Sequence, residues 1–345
     1  MSVTAQSITE SDLRVFAFTR NTVLDGNRDH VFSHSPTAMI FLDKSLGDFG
    51  GVSLKGAGHR GQTGGASVQI RVRLGKHAGS AFMAGPFDNH SVSPDDNTRL
   101  GKANWIHASG ALVISETDKS VNAGPDAMDS FVADQTESVM LSLVDEIADS
   151  LHDTTITANG VTPIDDLISN NDEVQTLSGA NYANFNSRGV SARTTAAASI
   201  SFASGSFAAQ GISDLRTSYN NASEGTVQPN VGITTYANHE RYEGALQPLE
   251  RFQGAVRTAD GSFQALAFRG TPVMADPKCA SGAWYWLNVG PRGMEVIILN
   301  PHDFRFAPFK PAASQETFVS ELQWKGQLII HNRRYGCNKL TGITD

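Results

Sequence analysis

Hydrophobic and polar positions alternate strictly through SVQIRVRL, residues 67–74: Val68, Ile70, Val72 and Leu74 share one face, and Gln69, Arg71 and Arg73 the other. A period of two belongs to a half-buried strand. A second strand-like run, WIHASGALVIS, spans 105–115, and the polar, turn-rich PFDNHSVSPDDN lies between them at 86–97. The pair predicts a long hairpin-like excursion whose middle is too polar for a core. Upstream, residues 1–50 show weak periodicity and one apolar patch, AMIFL at 38–42, which predicts an arm that packs on something else.

The period then changes. Met128, Phe131, Val132, Val139, Leu143, Ile147 and Leu151 recur at helical steps, and Pro125 with Asp126 and Asp129 supplies a start signal. One amphipathic helix is predicted over 125–152, about 40 Å long at the usual rise per residue. Its other face reads as almost wholly acidic. From 153 to 207 the chain is rich in Asn, Ser, Thr, Gly and Ala, which predicts loops and short strands. Helices are predicted at 211–224 and 238–246, the second stopped by Gln247-Pro248, with a buried strand at 230–235 between them. Short strands follow at 263–268, 271–275, 284–287 and 295–299, and the apolar residues of 317–332 lack helical spacing and read as sheet. No internal repeat or low-complexity tract is present.

At 345 residues and 40% hydrophobic content the chain is globular in composition and long enough for a sizeable core, in one to three domains. It has no run of about eighteen apolar residues to span a membrane. MSVTAQSITESDLRVF lacks the basic start and apolar block of a secretory signal, so a cytosolic product is expected. Cys279 and Cys337 have no metal-ligand spacing and are expected as reduced thiols.

The net charge of −8 argues against a dedicated nucleic-acid binder. The charge is unevenly placed. Residues 120–187 contain no Lys or Arg but hold Asp134, Glu137, Asp145, Glu146 and Asp149 among other acids, whereas Lys55, Arg60, Arg71, Arg73, Lys76, Arg99 and Lys102 precede them.

Templates for chemistry fail at named residues. GAGHRG at 56–61 has the glycine spacing of a dinucleotide fingerprint, but the alternating run follows it where a helix must open. It reads as a flexible lead-in to the hairpin. Gly75-Lys76 and Gly101-Lys102 lack the Ser or Thr of a phosphate loop, and His239-Glu240 lacks the second histidine of a zinc protease. No Gly-x-Ser-x-Gly elbow or Cys-x-x-Cys is present. Adjacent acids such as Asp95-Asp96 and Asp165-Asp166 point in different directions and read as solvated. No catalytic, cofactor-binding or metal residue is assigned and no cofactor is expected.

The wording after residue 120 carries a resemblance. DLRTSYNNASEG (214–225), QPNVGITT (228–235), Tyr242-Glu243, LERF (249–252), LAFRGTPVMAD (266–276), AWYWLN (283–288), QWKGQL (323–328) and NRR (332–334), in that order, resemble the major capsid protein of tailed bacteriophages. The resemblance implies an α+β fold of the Hong Kong 97 type. It implies an N-terminal arm at 1–50, an extended loop with peripheral-domain strands at 51–118, and a spine helix at 119–158. An axial domain at 159–315 and a return to the peripheral domain at 316–345 complete it.

The implied function is a non-enzymatic coat protein that self-assembles as hexamers and pentamers into an icosahedral shell around a double-stranded DNA genome. The DNA would be enclosed without sequence-specific binding, and no membrane is involved. The shell would assemble in the host bacterial cytoplasm and persist as the virion capsid. A portal is an implied partner, a decoration protein a further one. No long helical scaffolding segment is visible, which suggests a separate scaffolding protein or a chain already processed, and Met1 favours the former.

On this reading Gly56, Gly58, Gly61, Gly64 and Gly65 give the base of the loop freedom to swing. Arg71 and Arg73 would meet the Asp134, Glu137, Asp145 and Glu146 helix of a neighbouring subunit, guiding register more than adding affinity. The alternatives are an encapsulin-like compartment shell within the same fold, and a soluble hydrolase without a local motif.

Overall fold

In the computed structural model, which describes residues 35–42, 48–49, 52–53, 58–77, 79–80, 82–83, 85, 89, 97–121, 125–154, 159–168, 173–179, 181–182, 185, 211–246, 257–258, 264–312, 315–341 and 343, the alternating run forms a strand and the helical run a single helix. The helices are α1 (Pro36–Leu42), α2 (Glu116–Val121), α3 (Pro125–His152), α4 (Ile164–Leu167), α5 (Ile212–Ala222) and α6 (Tyr236–Leu246). The strands are β1 (Asp48–Phe49), β2 (Val52–Ser53), β3 (His59–Thr63), β4 (Val68–Arg73), β5 (Thr98–Ala103), β6 (Ile106–Ser115), β7 (Glu173–Val174), β8 (Leu177–Ser178) and β9 (Val231–Thr234). They continue as β10 (Arg257–Thr258), β11 (Gln264–Phe268), β12 (Thr271–Ala275), β13 (Trp284–Leu287), β14 (Met294–Asn300), β15 (Arg305–Phe306), β16 (Lys310–Pro311), β17 (Thr317–Ile330) and β18 (Asn338–Leu340). The chain divides into two units, one with described parts in 107–146 and 301–325, the other in 34–106, 147–300 and 326–345.

The larger unit is built on a sheet of order β10-β11-β12-β9-β13-β18. Every residue of β9 (VGIT) is buried, as its central position requires, with β12 parallel on one side and β13 antiparallel on the other. Trp284 and Trp286 of β13 are fully buried and pack with Leu215 and Tyr219 of α5, Tyr242 of α6, and Phe268 and Val273. Tyr219 meets Trp286 edge-on at 5.3 Å and Tyr242 meets Trp284 edge-on at 5.7 Å. Such pairs add about 0.5–1.5 kcal/mol each beyond area burial. Gly232 faces Trp286 across the β9–β13 pair, and a Cβ there would lie 2.7 Å from the indole Cζ3, so the strand is bare where the ring sits.

A second sheet in this unit pairs β14 antiparallel with the C-terminal half of β17 and parallel with β3. The run at 59–63, read from the sequence as a flexible lead-in, is therefore a strand. HRGQT lacks the alternation that marks strands because β3 ends the path β15-β17-β14-β3. The apolar patch of the expected arm is the helix α1, and it buries in its own chain. Ile40 and Phe41 are buried, and a Cβ on Gly58 would lie 2.7 Å from Ile40 O and 3.1 Å from Phe41 Cδ1.

In the smaller unit β15 and β16 pair with the N-terminal half of β17, and β6 also pairs with β17. Leu112 and Ile114 of β6, Leu143 of α3, and Leu322 and Trp324 of β17 are buried. The α3 helix packs against β6 at Gly110, where a Cβ would lie 2.5 Å from Val139 Cγ1. Its outward side is not uniformly acidic. Glu137 is exposed, and so is Met140, at 45%.

Candidate functional site

The hairpin of β4 and β5 carries the residues singled out from the sequence. Its register pairs Val68 with Ala103, Ile70 with Gly101 and Val72 with Arg99 on one face, and Gln69 with Lys102, Arg71 with Leu100 and Arg73 with Thr98 on the other. Val68 and Ile70 join Ile297 and Ile329 in a small core, with Val72, Ala103 and Trp105 packed around it. The opposite face presents Arg71, Arg73 and Lys102 together with Leu100, all exposed. Among the described residues Arg71 and Arg73 make no ion pair.

The root of the hairpin is fastened at several points. Trp105, on the returning leg, donates its indole N–H to Gly65 O on the outgoing leg at 2.9 Å. Arg99 Nε donates to Tyr182 Oη at 3.2 Å, with the guanidinium 5.9 Å from that ring's centre. Lys102 N donates to Gln175 O at 2.8 Å. Beyond the paired strands Phe82 is fully exposed. Of the loop's polar middle, only Asn89 and Asn97 are among the described residues.

The glycines at the base differ from one another. Gly56 lies outside the described residues. Gly58 is buried against α1, and its carbonyl accepts Val296 N–H at 2.7 Å. Gly61 is inside β3, where a Cβ would meet the Asn300 side chain at 2.6 Å. Gly64 and Gly65 join β3 to β4 with φ of 74° and 102°, the left-handed region that glycine enters without steric cost. The acidic residues Asp134, Glu137, Asp145 and Glu146 all lie on α3, in the smaller unit, whereas Arg71 and Arg73 belong to the larger one.

Three polar centres, two buried and one half-buried, brace the larger unit. Asp276 accepts from Ser35 Oγ at 2.5 Å, Thr37 N at 3.1 Å and Lys278 N at 2.9 Å, with His152 Nε2 at 3.3 Å. Burial alone would raise the Asp276 carboxyl, but the hydrogen bonds and charge of His152 and the bonds from Ser35 and Thr37 outweigh it and hold the group well below the usual carboxylate range. Glu295 takes His331 Nε2 at 2.7 Å and Arg60 Nη1 at 3.5 Å, linking β14, β3 and the end of β17. Asp165 takes Tyr285 Oη and Lys339 Nζ, both at 2.9 Å, and burial followed by the Asp165 charge pushes the tyrosine hydroxyl upward. Ser35, Asp276 and His152 are not a nucleophilic triad, because the serine hydroxyl donates to the carboxylate and not to the imidazole. Among the described residues no three His, Cys, Asp or Glu side chains gather as a metal site.

No family model matches the sequence, and no curated protein matches it. Solved structures do match. A capsid chain of cyanophage A-1(L) is similar at a TM-score of 0.61 and 12% identity, over 95% of this chain and 98% of that one. The capsid of Myoviridae phage XM1 matches at 0.53 and 12%, over 99% and 100%. The SrpI encapsulin of Synechococcus elongatus PCC 7942, in its holo complex, matches at 0.56 and 9%, over 100% and 97%. With coverage almost complete in both directions, the chain has the coat fold of tailed-phage capsids, the Hong Kong 97-type α+β fold.

Proposed function

We propose that this chain is the major capsid protein of a tailed phage, self-assembling as hexamers and pentamers into an icosahedral shell around double-stranded DNA. The reading is carried by one observation: the hairpin buries only its inner face in its own chain, at Val68, Ile70, Ile297 and Ile329, and leaves a cationic outer face uncovered. A two-stranded ribbon is at best marginally stable by itself, so its far part needs a partner surface. The end-to-end likeness to capsid chains supports a second copy as that partner. Many modest heterologous contacts of this kind close only in a lattice.

In this reading residues 1–50 act as arm, tied to their own chain by α1, with β4–β5 as extended loop, α3 as spine helix and the β9–β13 sheet as axial domain. Arg71 and Arg73 of one copy engage Asp134, Glu137, Asp145 and Glu146 of the next. The hinge narrows to Gly64 and Gly65, which have positive φ where the described Gly58 and Gly61 do not. The protein acts as a structural element without catalysis, assembled in the bacterial cytoplasm with a separate scaffolding protein and a portal, and it encloses DNA without reading sequence. A decoration protein would be a further partner of the finished shell. Among the described residues no helix is long and apolar enough to cross a membrane.

Electron microscopy of the chain expressed alone and with its neighbouring genes tests the proposal. Icosahedral shells or hexamer sheets are expected, and a stable monomer in both conditions would overturn it. The likeness to the SrpI encapsulin favours a second reading, a compartment shell. Purified particles holding protein cargo in place of DNA would support that one.

A further inference from the structure

The turn between β7 and β8 is made of residues that disfavour it. Glu173 pairs with Ser178 and Val174 with Leu177, which leaves Gln175 and Thr176 as a two-residue loop. Their φ values are 53° and 62°. Positive φ at both central positions is the type I′ requirement, normally met by Asn-Gly or Asp-Gly. A β-branched residue such as Thr176 is a steric outlier there. Two residue pairs make too short a hairpin to enforce that backbone unaided.

Gln175 is tied on two sides. Its carbonyl accepts Lys102 N–H of β5 at 2.8 Å. Its side-chain amide, nitrogen toward Ile330 O at 3.1 Å and oxygen toward Ile330 N at 2.8 Å, takes the place of a strand partner at the end of β17. The neighbouring Gly101 leaves room for this. A Cβ there would lie 3.4 Å from both Gln175 O and Leu177 Cδ1, and 3.1 Å from Ile70 Cγ1. Val174 and Leu177 are buried, which anchors both legs of the short hairpin.

We infer that the Gln175–Thr176 turn is a strained catch that holds the root of the β4–β5 hairpin on the core sheet and relaxes when β5 leaves. The carbonyl that Lys102 needs is presented only while the turn stays left-handed. The backbone cost of that conformation offsets part of the docking free energy, so the root is fastened but remains easy to release. That release serves assembly rests on the shell reading; the catch itself does not.

Hydrogen exchange on the full chain, kept unassembled at low concentration, tests the catch. Thr176→Gly removes the steric cost and leaves every bond to Gln175 in place. The Lys102 amide is expected to exchange about fivefold more slowly than in the wild type. Gly101→Ala would set a methyl 3.1 Å from Ile70 Cγ1 on the paired strand, straining β5 where it docks, and is expected to speed Lys102 exchange by a similar factor while 173–178 keep their protection. Lys102 exchange unchanged in Thr176→Gly, with slowing confined to 173–178, would show that the strain belongs to the short hairpin alone and overturn the inference. Particle formation by the wild type is scored separately, so a failure of the shell reading leaves the exchange result standing.

Discussion

Asp276 Oδ2 lies 3.3 Å from His152 Nε2, so the last residue of α3 and the residue after β12 meet in one buried polar centre. The same oxygen accepts from Ser35 Oγ and Thr37 N at the start of α1. One carboxylate thus fixes three segments that are remote in sequence. Removing it leaves the Ser35 hydroxyl and the Thr37 N–H buried without their acceptor and His152 without its counter-charge. Asp276→Ala is expected to cost about 3–5 kcal/mol in urea unfolding. A loss below about 1 kcal/mol would show the centre to be dispensable.

Acid separates the charge from the hydrogen bonds. The Asp276 carboxyl is held below its ordinary value in the fold, so its stabilisation is complete above the unfolded pKa of about 3.9 and is lost as pH falls through that value toward the lower folded one. The stability difference between wild type and Asp276→Asn is expected to shrink below about pH 4. A difference that closes already near neutrality would point to another group.

The contact between Gly110 and Val139 predicts a coupled pair. A Cβ at position 110 would stand 2.5 Å from Val139 Cγ1, closer than packed atoms tolerate. Gly110→Ala is expected to cost about 1–3 kcal/mol. In the background of Val139→Ala, which clears the space, the same change should cost much less, giving a coupling of about 1 kcal/mol or more. Additive costs in thermal unfolding would mean that β6 and α3 separate freely.

How much of this was legible in the sequence depends on where each signal resides. The Val68–Arg73 strand was readable because Val68, Ile70 and Val72 turn to one inner face, and the Pro125–His152 helix because Leu143, Ile147 and Leu151 are buried at helical spacing, so that burial imposes its period on the sequence. The β3 strand was not, since His59–Thr63 is largely exposed and leaves no alternation. The Gln175–Thr176 turn carries no glycine or asparagine to announce it and is held by tertiary bonds to Lys102 and Ile330. The Asp276 centre depends on residues brought together from α1, α3 and β12, for which no local pattern exists. Charge asymmetry between the hairpin and α3 was visible, but the exposed Met140 among the acids was masked by a helical period that does not record which face finds a partner.

Both cysteines are free and buried. Burial pushes the Cys337 thiol up to about 11 and raises that of Cys279 further, the nearby Asp276 and Asp165 charges adding to the second shift. The thiolate is the reactive form, so neither should react with an aromatic disulfide reagent in the native chain at about pH 8. Two equivalents should appear on unfolding. Rapid native labelling of either residue would contradict its burial.

Arg71 and Arg73 stand two residues apart on the exposed face of β4, opposite Leu100 and Thr98. A strand repeats its facing every second residue, so both guanidinium groups address whatever surface covers that face. If that surface is α3 of another copy, each solvent-exposed ion pair contributes at most about 1 kcal/mol, and one reversal alone should do little. Repeated over every subunit of a closed lattice, the double reversal Arg71→Glu with Arg73→Glu should lower particle yield and weaken its dependence on salt. The unfolding midpoint of the subunit should not move, because exposed charges away from special features change stability by about 0.5 kcal/mol or less. Adding Asp134→Arg and Glu137→Arg to the same chain should restore part of the yield, since an attraction reversed at both ends is an attraction again. Particles that form with unchanged yield and salt response after the double reversal would remove this contact from the shell, and the acidic side of α3 would then be only a solvated face.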